Sequence, residues 1–146
     1  MEVFALEIYT PYRLFYRGEV ESVVVTLIDG DAGVYANHAP FTAPVTTGIL
    51  TFKDKKGDGK YAVISEGIIE VKKRKAVILA DSANWPEEID KDRALAAKAE
   101  SEKIINESNF KLDAEKAHKK LKRAQMRLKL LEILATTAPS GNYGQR

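Results

Sequence analysis

The feature that most constrains this chain is a change of character near residue 80. Before it, β-branched and aromatic residues form short apolar runs, punctuated by Gly, Pro, Asn and Asp about every eight to twelve residues, the pattern of an all-β unit. Beyond it glycine vanishes until Gly141, and Ala, Lys and Glu dominate from Ile89 to Glu132. That composition suits helices. Two burial patterns of this kind predict a β domain over residues 1–83 and a helical unit over 84–135. The tail over 136–146 has Pro, Ser, Gly and Asn without a period and is expected to be mobile.

In the first half, Phe4, Leu6 and Ile8 alternate with Val3, Ala5 and Glu7, and Val23, Val25 and Leu27 alternate with Ser22, Val24 and Thr26. Period two makes Glu2–Tyr9 and Glu19–Asp29 strands, the second buried on much of both faces. Ile49–Lys53, Tyr61–Ser65, Ile68–Lys72 and Ala76–Ala80 are further strand candidates, and Asp58-Gly59 between the first two of these predicts a hairpin.

In the second half, Asp90 stands where it can cap a helix running from Lys91 to Glu107. Asn106, Ser108 and Asn109 interrupt the pattern before a second helix over Asp113–Leu134, so the two form an antiparallel hairpin. Ala117, Leu121, Ala124, Leu128 and Leu131 make one narrow seam, and Ala94, Ala97, Ser101, Ile104 and Ser108 make the facing one. Small residues permit close approach but bury little area, so this pairing is weak.

A search for chemistry finds little. The chain has 146 residues, 45% hydrophobic and 30% charged, with no cysteine and a formal charge of +2, which removes thiolate chemistry, disulfides and any global attraction to polyanions. Apolar stretches such as Val23–Ile28 are far too short to span a bilayer, and the N-terminus lacks the pattern of a signal peptide. His38 sits in the turn-like Asn37-His38-Ala39-Pro40, whereas His118 lies among lysines on the second helix. Neither belongs to a catalytic or metal-binding constellation, and no catalytic, metal or cofactor site is expected.

The strongest local signal is charge. Lys116, Lys119, Lys120, Lys122, Arg123, Arg127 and Lys129 follow one another with no acid between Glu115 and Glu132. A run of one sign cannot neutralise itself by neighbouring pairs, so it points to an acidic partner. Nucleic acid bound by a free-standing or scaffold protein is one such partner, but the helix lacks aromatic side chains for base stacking. An acidic protein surface fits as well.

Thr10-Pro11, Tyr16, Gly18, Val20, Gly30-Asp31-Ala32-Gly33-Val34 and Asn37-His38-Ala39-Pro40 resemble, in this order, the N-terminal pattern of F-type ATP synthase epsilon subunits. Gly67–Val71 and Ala76–Asp81 match two further strands of that family, Ile89-Asp90 with Arg93-Ala94 its helical start, and Lys122-Arg123-Ala124 with Arg127-Leu128 the end of its second helix.

The resemblance implies a flattened ten-stranded β-sandwich followed by the helical hairpin. It implies a non-catalytic central-stalk subunit whose β domain binds the gamma subunit and the c-subunit ring, with Asp31 and His38 at that contact. The subunit would be peripheral to the cytoplasmic face of a bacterial membrane. The hairpin would move, and Lys119, Lys120, Lys122, Arg123 and Arg127 would meet an acidic loop of the beta subunit and inhibit hydrolysis. Some family members also hold ATP as a regulatory ligand, and Ile89, Asp90, Arg93, Ala94, Arg123 and Arg127 match their pattern. Glu100, Asn84 and Lys116 depart from it, and Glu100 would repel phosphate.

Overall fold

The computed structural model describes residues 2–137. Its strands are β1 (Phe4–Tyr9), β2 (Leu14–Leu27), β3 (Gly30–Tyr35), β4 (Phe41–Val45), β5 (Gly48–Asp54), β6 (Gly59–Ile64), β7 (Gly67–Lys72), β8 (Lys75–Ala80) and β9 (Ala83–Asn84). A 3₁₀ turn (Pro86–Glu88) leads to α1 (Lys91–Glu107) and α2 (Lys111–Thr137). Residues 138–146, most of the expected tail, lie outside the described residues, and Thr136, expected in that tail, is the penultimate residue of α2.

The strands hydrogen-bond in the order β1-β8-β7-β4-β2-β5-β6-β9, with β3 attached to β2. An added β1–β2 pairing folds this path back on itself. Nine strands are described where the resemblance implied ten, because the 14-residue β2 serves twice. Its first half pairs with β1 and its second with β3 and β5. A register shift between Val20 and Ser22 changes the alternation, so Val20 and Val23 both point into the core. The partly exposed Val24 and Thr26 leave β2 buried mainly on one face, not on both.

All six expected strands are present within one or two residues, except that β2 begins at Leu14 rather than Glu19. β3, β4 and β9 were not expected. The β5–β6 hairpin forms as predicted, but the residue with positive φ is Gly57 (86°) rather than Gly59. The Asp54 carboxylate holds this turn by accepting from the backbone N–H of Lys56 at 2.9 Å and of Asp58 at 3.0 Å.

Phe4, Leu6, Ile8, Val20, Leu50, Phe52, Ile69 and Ile78 are in one buried cluster that reaches past the strands to Trp85, the largest fully buried side chain. Trp85 stacks on Phe15 with centroids 4.2 Å apart, and Arg13 lies over the other ring at 5.1 Å from its centroid. Arg13 also forks onto Glu88, with two hydrogen bonds of 2.8 Å, and Glu88 in turn accepts from the Trp85 backbone N–H. The connector between strands and helices is therefore part of the β core.

α1 begins and ends where expected, with Asp90 accepting from the Arg93 backbone N–H at 3.1 Å. α2 starts two residues early and ends three late, after a Ser108–Phe110 connection that Ser108 braces through its hydroxyl. Ala94, Ser101, Ala117 and Ala124 are buried in the expected seam. Leu130, outside that seam, is also fully buried, because α2 packs across β5, β6 and the 3₁₀ turn. Val63 is buried on β6 without belonging to the β core, the mark of a strand covered on both sides.

A chain cut after Ala83 loses Trp85, and deleting a large buried aromatic costs about 3–5 kcal/mol. We expect that fragment to melt at least 10 °C below one cut after Ile89 in circular-dichroism scans; equal melting would show that Trp85 does not hold the β unit together.

Candidate partner-binding surfaces

α2 presents its cations unevenly. Lys116, Lys119, Lys120, Lys122 and Lys129 are exposed, whereas Arg123 and Arg127 are half-buried against the rest of the protein. Among the described residues, the only ion pair made by the seven joins Lys119 to Glu66 at 3.8 Å, with both side chains well exposed. Such a pair contributes at most about 1 kcal/mol. The exposed lysines thus leave a nearly uncompensated positive face, and the solvent-exposed His118 lies among them.

Arg127 is different in kind. Its Nε donates to the side-chain oxygen of Asn84 at 3.0 Å, a neutral partner for a charged group. Burial, then Arg123 and Arg93 nearby, push this guanidinium below its ordinary pKa. Asn84, Glu88, Ile89, Asp90, Arg93, Ala94, Ala97 and Arg127 line a notch of about 260 Å³ at the foot of the hairpin. Five of the six residues matched to the ATP pattern, namely Ile89, Asp90, Arg93, Ala94 and Arg127, therefore meet in one place. Arg123 lines the adjoining groove with Arg127, Lys120 and Glu100. The carboxylates nearest the notch are already engaged, Glu88 with Arg13 and Asp90 with the helix cap.

Asp31 and His38 are both exposed, but the structure does not bring them together. Asp31 stands at the start of β3, accepting from the Thr26 hydroxyl at 3.0 Å, while His38 lies three residues beyond its other end. The His38 ring has Nδ1 2.8 Å from the Ala39 carbonyl oxygen and packs against Phe41 at 5.0 Å.

Sequence reasoning missed a third surface. Register places Pro44 beside Ile68, Ile68 beside Leu79, Leu79 beside Tyr9 and Tyr9 beside Leu14, one apolar residue per strand across β4, β7, β8, β1 and β2. Leu14, Ile68 and Leu79 are 44%, 41% and 51% exposed, so this row is uncovered. A row of that length on an outer sheet face is a candidate surface for a protein contact. The alternation was present in each segment, but only the pairing shows which residues share the outside.

Residues 3–86 match the family model for the β-sandwich domain of the ATP synthase delta/epsilon chain, and residues 87–132 match that for its long α-helix domain. The chain belongs to the ATP synthase delta/epsilon family. Within it, the ATP synthase epsilon chain of Caldicellulosiruptor bescii is 43% identical over 132 residues, covering 90% of this chain and 96% of the relative. The ATP synthase epsilon chain of Caldanaerobacter subterraneus subsp. tengcongensis is 44% identical over 130 residues, covering 88% and 94%. A solved chain from the Euglena gracilis mitochondrial ATP synthase has the same fold, with a TM-score of 0.79 at 21% identity over 88% of this chain and 81% of its own. Epsilon-type identity, the β-sandwich and the following helices are thus as the resemblance implied. No helix among the described residues is long and apolar enough to cross a membrane.

The Arg127–Asn84 contact makes a direct prediction for this epsilon-type chain. Replacing Asn84 by Asp gives Arg127 a charge-assisted partner in place of a neutral one, a gain of about 1 kcal/mol. Thermal unfolding should shift upward by about 2–4 °C, with slower amide exchange where α2 meets β6; no shift would mean that the cluster of arginines is already relaxed by solvent.

Proposed function

We propose that this chain is a non-catalytic rotor subunit that couples ion flow to ATP synthesis and restrains ATP hydrolysis through its helical hairpin. Its epsilon-type identity supports a place in the ATP synthase central stalk, peripheral to the cytoplasmic face of a bacterial membrane. The β unit docks on the gamma subunit and the c-subunit ring. The uncovered row Pro44, Ile68, Leu79, Tyr9 and Leu14 supports the gamma contact, since an apolar row this long gains by leaving water. Asp31 and His38 reach partners separately, from the two ends of β3.

The single observation that carries the inhibitory role is the positive face of α2, whose exposed lysines have one weak internal partner between them. Lys119, Lys120, Lys122, Arg123 and Arg127 meet an acidic loop of the catalytic beta subunit when the hairpin leaves the sandwich. Among the described residues, few polar contacts hold α2 to the sandwich, an exposed ion pair from Lys119 to Glu66 and a hydrogen bond from Arg127 to Asn84, which favours that departure.

A second reading concerns the notch at the foot of the hairpin. Arg93 and Arg127 line it, Arg123 lies close by in the adjoining groove, and the Arg127 guanidinium donates to an amide rather than a carboxylate, which favours an anion such as a nucleotide phosphate. Glu100 in the adjoining groove opposes it. Calorimetric titration with ATP distinguishes the outcomes: saturable binding lost in Arg127→Ala supports the reading, and heats of dilution alone dismiss it.

Inhibition is tested by replacing Lys119, Lys120, Lys122 and Arg123 together with Ala, which favours helix at least as well. Hydrolysis by the reconstituted complex should rise severalfold, while single replacements do little because exposed pairs are individually weak. Unchanged inhibition with the helix intact by circular dichroism would reduce the run to a solvated face.

A further inference from the structure

We infer that the partner seated on the outer face of β4, β7, β8 and β1 carries, beside an apolar strip, a cluster of carboxylates that meets Lys72, Lys73, Arg74 and Lys75. This inference rests on the proposed docking of the gamma subunit on that face. Along the strands the outward residues fall into parallel rows. Beyond Ile68, Leu79 and Tyr9 come Glu70, Val77 and Glu7, and beyond those Lys72, Lys75 and Ala5. Four residues separate Leu79 from Lys75, so the basic turn lies about 13 Å from the apolar row on the same face.

The middle row is occupied. Glu7 accepts from the Tyr9 hydroxyl at 2.8 Å and pairs with Lys75 at 3.3 Å and Arg17 at 3.8 Å, while Glu70 pairs with Lys72 at 3.4 Å. Among the described residues, Lys73 and Arg74 make no ion pair. The turn therefore keeps an excess of positive charge at the edge of an apolar surface.

Backbone geometry adds an independent reason. Arg74 has φ of 60°, the left-handed region that favours Gly or Asn, so it stands at a position where any side chain with a Cβ is disfavoured. Its carbonyl accepts from the Ala5 N–H, a bond that Gly would make equally well. What Gly could not supply is the cation. A nucleic acid would cover the turn yet leave the apolar row wet, and the turn offers no aromatic residue for stacking. A folded protein surface satisfies both.

The test measures binding of the full-length chain to the purified gamma subunit of its own complex, at about 0.05 M and about 0.5 M NaCl. Lys73→Glu with Arg74→Glu should weaken binding about tenfold or more at the lower salt, mostly through slower association, and the difference should shrink at the higher salt. Arg74→Gly should weaken it two- to threefold while raising the melting temperature, which separates loss of the charge from damage to the turn. Leu79→Asp should weaken binding at both salts. If Leu79→Asp weakens binding and the charge reversal does not, the carboxylate cluster is refuted and the docking face stands. If Leu79→Asp has no effect, the docking face itself is refuted. If the charge reversal leaves gamma binding intact but abolishes binding to vesicles with one-third phosphatidylserine, the turn faces lipid and the inference fails.

Discussion

The stack of Arg13 on Phe15 on Trp85 is the contact on which the arrangement of the two halves depends. Trp85 sits at the exit of the last strand, and its burial among Phe15, Tyr16 and Phe52 ties the exit to the first hairpin of the sheet. Glu88, three residues later, is held by Arg13 and closes back on the Trp85 N–H. The chain therefore leaves the β unit at a fixed point and in a fixed direction. α1 starts two residues beyond the 3₁₀ turn, at Asp90–Lys91, with its own cap. Rotation of the hairpin as a body would require backbone changes only in the two extended residues between these anchors, Ile89 and Asp90, together with release of the α2 contacts to β5 and β6.

Against that firm anchor the hairpin is held lightly. The fully buried positions of its seam are Ala and Ser, with the Leu residues only partly covered, and the docking side of α2 contributes Leu130 over a covered β6. Polar contacts to the sandwich among the described residues include an exposed ion pair at Lys119 and a hydrogen bond from the charged Arg127 to the neutral Asn84 side chain. Arg127 is pulled both ways: its aliphatic stem gains from partial burial, while its charge loses solvent and faces Arg93 and Arg123. Docking that combines modest apolar gain with residual like-charge repulsion is easily reversed, which is what the proposed regulatory role asks of it.

Much of this architecture was legible because period and capping are local. The bounds of α1 follow from Asp90 and from the interruption at Ser108, and the seam follows from spacing alone. What escaped depends on tertiary context. β3 is Gly-Asp-Ala-Gly at its start and buries only Val34, so nothing in its composition separates it from a turn. β4 contains Pro44, which argues against a strand until β4 is seen to pair along its length with β7 but with β2 only at Val45. The composition boundary puts Trp85 with the helical unit rather than the β core, since a lone aromatic between Asn and Pro has no periodicity to place it. The candidate site divides the same way: the basic run and the Ile89–Ala94 motif were readable, whereas the separation of Asp31 from His38 and the outer apolar row required the register.

The two surfaces left open by the fold have opposite physics, and this bears on how they would be used. The apolar row lies on a sheet whose inner strands β7, β8 and β1 are each paired on both sides, so its shape is preorganised and a partner seated there would cost little ordering entropy. That suits a permanent contact. The lysines of α2 are long and solvated, and attraction to an acidic partner would be screened within about 10 Å at ordinary ionic strength. That suits a contact made and broken during each regulatory event. The proposed role, riding on one partner and intermittently braking another, asks for one surface of each kind, placed on units joined through a short connection. The sheet offers the first and α2 the second, and the Trp85 anchor would keep motion of the second from disturbing the first.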